Sequence, residues 1–581
     1  MLNGDWVSDV FASDLTATCS ELRSKWLPAR TEKVYQRDRH TIAIALRTIK
    51  KREWLDISWH PQATRICITE PPPRTPDTFT FSQQLIHQLG GLALIAIDFI
   101  APWERVVDFK FARRPGEEAL YHLYVEVMGK YSNAILTAAN NEIITAAHQV
   151  SQQQSSVRPI QTGQPYETPP KLTGTIPSLT ESQARWQERI SLVPGKIKKQ
   201  ITKSYSGLSS ALITSMLLAV GILPEINTDN LTTDDWERLF QQWQKWLQTL
   251  ETCTFKPVWT EDGYSVMGWG EIARAENVQE LLYQYYRDQL NKQSFSQLRH
   301  HLTQKLSNIL SKLNFKAQTF QDRLQQSDQA EEFKQQADLL MAHLHNWQPG
   351  MVEMILEDFE TGKPVSIPLQ PDKNAVQNAQ KLYKQHQKLK RARGAVEPLL
   401  LDVRAEIDYL EQVEAAIAQI DIYQTSEDLQ ALEEIRDELI EQKYLEDLEY
   451  RRRSNSETTS TNFHQYLTPS GFEVLIGRNN NQNDHLTFRV AGDYDLWFHA
   501  QEIPGSHVLL RLEPGAVAEE ADLEYTANLA AYFSRGRESE QVPVVYTQPN
   551  RVYKPKGAKP GLVIYKQETI IWGKPGIFRN S

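Results

Sequence analysis

Residues 477–508 read GRNNNQNDHLTFRVAGDYDLWFHAQEIPGSHV, a density of Asn, Asp, His, Trp and Gly that ordinary core packing does not require. Such side chains can hold a metal, assist a nucleophile, or meet a polar ligand through amide and indole groups. His499 and His507 lack a convincing third ligand, and two histidines alone fit hydrogen-bonded structural positions. Gly505-Ser506-His507 sets a hydroxyl beside an imidazole, but neighbours on a strand face opposite sides and no acid partner is evident. No GxxxxGK[ST], GxSxG or HExxH sequence occurs, so no catalytic residue, metal or cofactor is assigned.

Val474, Ile476, Leu486, Phe488, Val490, Leu496, Phe498 and Val508 alternate in apolar blocks suited to strands. Residues 478–484 then form a polar turn between two of them, and the polar side chains gather on a rigid sheet. Asn-rich turns are common, and Trp497 would also serve as core filling, but neither explains the whole pattern.

The remaining elements bound what could position this stretch. At 581 residues with 40% apolar content, the chain predicts about three or four domains with substantial cores. The longest apolar candidate for a membrane span, 92–100, is interrupted by Asp98 and too short. The opening MLNGDWVSDVFASDL has no basic start before an apolar stretch, and Cys19, Cys67 and Cys253 are few and widely spaced. Both features predict a cytoplasmic protein. A formal charge of -10 argues against indiscriminate coating of nucleic acid. Local runs differ: 381–393 (KLYKQHQKLKRAR) carries six basic residues and no acid, and 551–579 carries seven against Glu568. Each is either a phosphate-facing surface or a solvated face.

The pattern predicts a multidomain α+β protein. Residues 1–170 read as an α+β domain and linker, with strands at Thr41–Arg47, 55–58, Arg65–Thr69 and 121–127. A loop carries Pro71, Pro72, Pro73 and Pro76, a helix covers 81–90, and 152–170 is a polar linker. Residues 171–275 read as a helical, helix-hairpin-helix-like domain. There Gly207 and Leu208 precede an amphipathic helix at 209–220, and Lys196, Lys198, Lys199 and Lys203 lie upstream. Such a turn can bring backbone amides to a phosphate, although a plain helical hairpin fits the same residues.

Residues 276–455 read as a long antiparallel coiled-coil arm. Leu302, Leu306, Ile309, Leu313, Phe320 and Leu324 form one stripe; Leu382, Leu389, Val396, Val403, Leu410 and Ile417 recur every seven residues in the other. A small β insert sits near 351–369, and Pro398 should kink or interrupt the second helix. The polar segment 451–461 marks a boundary, and 462–581 forms a C-terminal α+β module. Heptads do not distinguish an intrachain arm from a dimer, so the oligomeric state stays open.

The C-terminal stretch closely resembles the NFACT family signature, which runs through GxNNxQND, LTF, DLWFH and PGSHV. The resemblance extends to FASDLTATCSEL (11–22), EVMGKYSN (126–133), NAQKLYKQHQKL (378–389), AYFSRGRES (531–539) and KPKGAKPGLVIY (554–565), in the family's order. It implies a ribosome quality-control factor that binds a large ribosomal subunit obstructed by peptidyl-tRNA. It further implies recruitment of aminoacyl-tRNA, alanyl-tRNA in bacterial members, for untemplated tailing of the stalled chain. Peptidyl transfer would come from the ribosome, so the chain would be a positioning factor and not an enzyme.

By the same resemblance, tRNA-dependent tailing involves an acid in the first helix, matched by Asp14, and an Asp-Arg pair, matched by Glu104 and Arg105. The departure to Glu moves the carboxylate outward by about 1.5 Å, one bond length. On a regular strand the two neighbours would face apart, so sharing one site needs a bend, which Pro102 could induce. Arg105 would meet phosphate or stack on a base, with Asp14 and Glu104 orienting it or accepting from a ribose hydroxyl. In the C-terminal module, Arg478, Lys554, Lys556 and Lys559 are candidates for RNA phosphate, and Asn480, Asn483 and Trp497 for polar or stacking contacts. Lys198 and Lys199 complete the RNA- or ribosome-binding candidates. Two rival classes remain: a fibronectin-binding surface adhesin, suggested by the family's older name, and a DNA-repair enzyme, for which Met1-Leu2 supplies no glycosylase nucleophile.

Overall fold

A computed structural model describes residues 12–72, 77–155, 158–170, 174–261, 263–446 and 462–579. The boundary segment 451–461, Pro73, Pro76, Phe11 and part of the polar linker lie outside the described residues. The protein is mixed α and β and divides into two compact units, Met1–Leu290 and Asn291–Ser581.

In the first unit, α1 (Ala12–Trp26) precedes four strands, β1 (Ala29–Asp38), β2 (Thr41–Arg47), β3 (Arg52–Ser58) and β4 (Arg65–Thr69). After α2 (Thr80–Leu89) come β5 (Ala93–Phe99), β6 (Val106–Ala112), β7 (Tyr121–Glu126), β8 (Asn133–Ala138) and β9 (Ile143–Ala146). They form one antiparallel sheet in the order β4-β3-β2-β1-β5-β6-β7-β8-β9. The apolar run of β2 is buried at six successive positions, as expected of a strand covered on both faces. Leu15, Leu22 and Trp26 of α1 and Phe81, Leu85 and Leu89 of α2 pack with Ile42, Ile44, Leu55, Ile57 and Leu94 in one core.

Helices α3 (Gln183–Ser191), α4 (Ile197–Ser204), α5 (Ser210–Ala219) and α6 (Thr233–Thr252) build a second core. Trp236, Leu239, Trp243, Trp246 and Leu247 recur at helical spacing on α6, so a single face carries three indoles inward: Trp236 and Trp243 meet Trp186, and Trp246 packs on Trp243. Thr232 and Asp235 cap the start reciprocally: the Asp235 carboxylate accepts from Thr232 N at 2.9 Å, and Thr232 Oγ1 accepts from Asp235 N at 3.2 Å. The turn between α4 and α5 carries Gly207 at φ 77°, and Ser209 caps α5. α5 itself is apolar nearly throughout, and not the amphipathic helix the sequence suggested. A small sheet of β10 (Val258–Thr260), β11 (Gly263–Ser265) and β12 (Ala273–Arg274) follows.

Two long helical runs lie antiparallel in the second unit: α7 (Val278–Asp328, beginning in the first unit) with α8 (Ala330–Ala342), and α9 (Ala375–Gln419). Arg299 donates to Ile420 O at 2.9 Å, Arg393 pairs with Asp328 at 2.7 Å, and His386 Nδ1 lies 2.8 Å from Ala330 O. Leu302, Leu306 and Leu310 meet Val403, Ile407, Leu410, Val413 and Ile417 at the base, together with α10 (Ser426–Glu441). Between the helices, β13 (Glu353–Glu357) and β14 (Pro364–Pro368) form a hairpin whose Met354, Leu356 and Ile367 pack on Leu339, Leu340 and Leu382. Asn378 ties the insert down, accepting from Gln370 N and donating to Gln370 O and Lys373 O. Of the kink or interruption expected at Pro398, the interruption does not occur: α9 runs through it. Pro398 still lacks an N–H for the carbonyl of Gly394, but Val396 and Leu400 are buried on either side and hold the helix in place.

The C-terminal module contains β15 (His464–Leu467), β16 (Glu473–Ile476), α11 (Asn480–His485), β17 (Leu496–Ala500), β18 (Val508–Leu510), α12 (Glu520–Tyr532), β19 (Val542–Thr547), β20 (Val552–Tyr553), β21 (Ile564–Tyr565) and β22 (Thr569–Gly573). Six strands form a sheet in the order β15-β16-β18-β17-β19-β22, with α12 over one face. The sequence reading needs a correction here, because Leu486, Phe488 and Val490 lie in a π-helical turn continuing α11 and not in a strand. Asn479 Oδ1 accepts from Gln482 N at 2.9 Å and caps a helix where a turn was expected.

Leu410 is fully buried between the arm helices. Leu410→Ala should destabilise the arm by about 2–5 kcal/mol, read by urea unfolding; a loss under about 1 kcal/mol would mean the helices do not share this core.

Candidate nucleic-acid interface

Asp14 sits in the first turn of α1, only 8% exposed, and accepts a hydrogen bond from Tyr264 Oη at 3.1 Å. Its neighbour Ser13 accepts from Trp246 Nε1 at 2.9 Å. The same indole packs edge-on against Trp103, with ring centroids 5.6 Å apart. Trp103 occupies the turn before β6 in left-handed backbone, φ 67°, and Glu104 N donates to Ala101 O at 3.2 Å. That conformation costs on the order of 1–3 kcal/mol for a non-glycine residue, and packing on Trp246 holds it. Glu104 and Arg105 therefore lie in a bend, where strand alternation does not apply. Glu104 is half-buried; Arg105 is exposed, its carbonyl accepting from Val127 N at 2.9 Å. Through Trp246 the structure brings the start of α1 and the Glu104-Arg105 turn onto one side chain. Sequence reading missed Trp103, Trp246 and Tyr264, whose aromatic character gave only a core signal.

The nearby EVMGKYSN residues are mostly structural. Glu126 is buried, held by both guanidinium nitrogens of Arg158 and by Tyr166 Oη at 2.8 Å. Ser132 Oγ accepts from Met128 N at 2.9 Å, and Asn133 bridges to His148 through two bonds. In the helical part, Lys199 is exposed and Lys198 half-buried on α4, and neither forms an ion pair with the described residues. Lys196 is instead paired with Glu225.

The signature residues of the C-terminal module turn inward, against the acidic face of α10. Arg478 contacts Glu427 at 2.7 Å and Asp428 at 3.3 Å, and its side chain is 9% exposed. Glu434 accepts from Asn479 Nδ2 at 2.6 Å and from Gln482 Nε2 at 2.9 Å. Glu438, buried, accepts from Asn480 Nδ2 at 3.1 Å and from Tyr409 Oη at 2.7 Å. Asn483 is buried too, its Oδ1 accepting from His507 N at 3.0 Å. Trp497 is 0% exposed and donates from Nε1 to Thr487 Oγ1 at 3.1 Å. Trp497, Asn480 and Asn483, expected to meet RNA, are therefore buried: the indole is sealed between sheet and hairpin, and Asn480 Nδ2 and Asn483 Oδ1 bond within the fold.

Of the lysines, Lys554 is bound to Asp484, and Lys559 lies over Tyr409 and Tyr444, 4.6 and 4.4 Å from the ring centroids. Gly561 makes this docking possible, since at φ 77° a Cβ there would meet Asn480 Oδ1 at 2.6 Å. Lys556 is exposed. Glu434, Glu438 and Tyr409 were missed, although Glu427, Glu434 and Glu441 repeat every seven residues along α10.

The comparisons with known proteins accord with this layout. Residues 12–458 match the NFACT N-terminal and middle domains, and 462–567 match the NFACT protein RNA binding domain. The chain belongs to the NFACT family. It is similar to the Rqc2 homolog RqcH of Bacillus subtilis, 30% identical over 564 residues and 96% of each chain, and to that of Streptococcus pneumoniae serotype 2, 31% identical over 95% of each. Among solved structures, it is similar to the C-terminal part of the fibronectin/fibrinogen-binding protein of Streptococcus suis, at 31% identity over 48% of this chain and 95% of that one. That superposition, at a TM-score of 0.36, adds nothing to the family assignment. No helix among the described residues is long and apolar enough to cross a membrane.

His507 provides a test of the inward-facing arrangement. Burial pushes its imidazole from 6.5 down to about 3. The unfolded chain then binds the proton first, so this contribution to stability is complete above pH 6.5 and declines as pH falls toward 3. Between pH 7.5 and 5, the wild type should lose about 2 kcal/mol that His507→Gln does not. Equal pH slopes in chemical denaturation would overturn the assignment.

Proposed function

We propose that this chain assembles on large ribosomal subunits obstructed by peptidyl-tRNA and recruits aminoacyl-tRNA, with alanyl-tRNA as the expected adaptor, for untemplated C-terminal tailing. The observation that carries the reading is the end-to-end match to relatives named Rqc2 homolog RqcH, together with the RNA binding domain match at 462–567. The first unit would hold tRNA, the helical arm would reach over the ribosomal surface, and the C-terminal module would add an RNA contact. The chain acts by positioning, and the ribosome supplies the peptidyl-transfer chemistry.

Geometry supports a tRNA contact at Arg105. Arg105 is exposed on a turn held by Trp103 and by the bond from Val127 N, so a phosphate or base can reach it without unfolding the turn. Asp14, turned to Tyr264, is suited to holding the start of α1 beside that turn.

Gradient fractionation of cells with stalled nascent chains should place the protein with large subunits; absence from those fractions would sink the reading. Arg105→Ala should weaken alanyl-tRNA association about tenfold, the scale of one charge-assisted hydrogen bond, with the melting temperature preserved. Unchanged tRNA binding and tail synthesis would remove Arg105 from the site.

A further inference from the structure

Because Asn480, Asn483 and Trp497 are buried, an RNA contact by this module falls on its exposed surface. The β20–β21 hairpin pairs Val552 with Tyr565 and Tyr553 with Ile564. Val552 and Tyr565 pack inward with Trp497 and Val545, while Tyr553 and Ile564 face out, 50% and 53% exposed. The ammonium of Lys566 stands 5.7 Å from the Tyr553 ring centroid.

Beside this hairpin, β22 is the last strand of the sheet. Ile570 pairs with Val545 and therefore shares the hairpin's face, as does Trp572 two residues on. They are 52% and 58% exposed, whereas Ile571 between them packs toward α12. A Cβ on Gly573 would meet Ala527 O at 2.4 Å, so α12 closes tightly on the strand and fixes the position of Trp572. Lys556, Lys566 and Lys574 are exposed along the same 553–574 stretch, which carries one acid, Glu568.

Exposed rings on rigid strands, interleaved with ammonium groups, suit unpaired nucleotides: base faces stack on the rings while phosphates meet the lysines. A peptide adding to β22 would use its free backbone and apolar side chains but would gain nothing from three lysines. We propose that Tyr553 and Trp572, with Lys556, Lys566 and Lys574, form a stacking platform for unpaired RNA. This rests on the RNA-binding reading above and names the surface that carries it.

The test uses the full chain and a labelled, unstructured RNA of about 20 nucleotides, followed by anisotropy. Trp572→Ala and Tyr553→Ala should each weaken binding about tenfold, with Trp572→Phe close to wild type. Lys566→Ala should also reduce the dependence of log Kd on log salt by about 0.7. These side chains are at least half exposed or at the surface, so melting temperatures should not move. Binding by the wild type with unchanged variants would assign the face to another partner, such as an extended peptide, and overturn the platform alone. No RNA binding by the wild type would overturn both the platform and the RNA-binding reading.

Discussion

The buried carboxylate of Glu438 ties three helices of the second unit together. Taken out of water, it needs donors, and leaving such a group unpaired costs on the order of 3–5 kcal/mol. Tyr409 from α9 and Asn480 from α11 supply them, and burial still pushes the carboxyl above its ordinary range. Glu434 imposes the same demand on Asn479 and Gln482. Once these amides are fixed, the Asn-rich segment must be helical, because one short turn has to aim several side chains at one face of α10. The close approach of Gly561 and the seating of Lys559 between two tyrosines follow from that docking. An Asn-rich signature in an RNA-binding module would ordinarily suggest base readout; here it joins the module to the base of the arm.

A comparable economy holds in the first unit. Trp246 lies on the inward face of α6, yet its N–H reaches Ser13 and its ring supports Trp103. One core side chain of the helical layer thereby sets both the start of α1 and the bend carrying Glu104 and Arg105. Glu104 is half-buried in this turn, where the reach of its side chain need not disturb strand pairing.

Much of the fold was legible because it obeys simple periods. Thr41–Arg47 and Arg65–Thr69 are strands at the bounds their apolar runs suggest, and the seven-residue repeat from Leu382 to Ile417 lies on the continuous helix α9. The failures share a cause: a local pattern was read without its tertiary partner. Leu486, Phe488 and Val490 alternate as a strand would, but five residues are too few to separate the periods, and the Asn479 cap decided for helix. Trp497 has the side chain of a stacking platform; only the covering hairpin shows that the platform is closed. Pro398 would end an isolated helix, but burial on both sides outweighs its missing bond. For Arg105 the residues alone say little, since nothing in PWERVVDF distinguishes a site from ordinary surface charge.

Net charge misleads for a related reason. A chain of formal charge -10 looks unsuited to RNA, but charges act locally, with a reach of about 8 Å in physiological salt. Many of the acids are already engaged: Glu427 and Asp428 neutralise Arg478, Glu411 and Glu414 neutralise Arg535, and Asp484 neutralises Lys554. In these contacts five acids face three cations, so part of the acidic excess is spent inside the fold. What remains is decided by which side chains point outward, and among the exposed groups are Arg105, Lys199, the 381–393 face of α9 and the lysines around Tyr553 and Trp572. The acidic excess is thus compatible with discrete cationic contacts separated along the chain, an arrangement suited to gripping a large folded RNA at several points and poorly suited to coating a uniform strand.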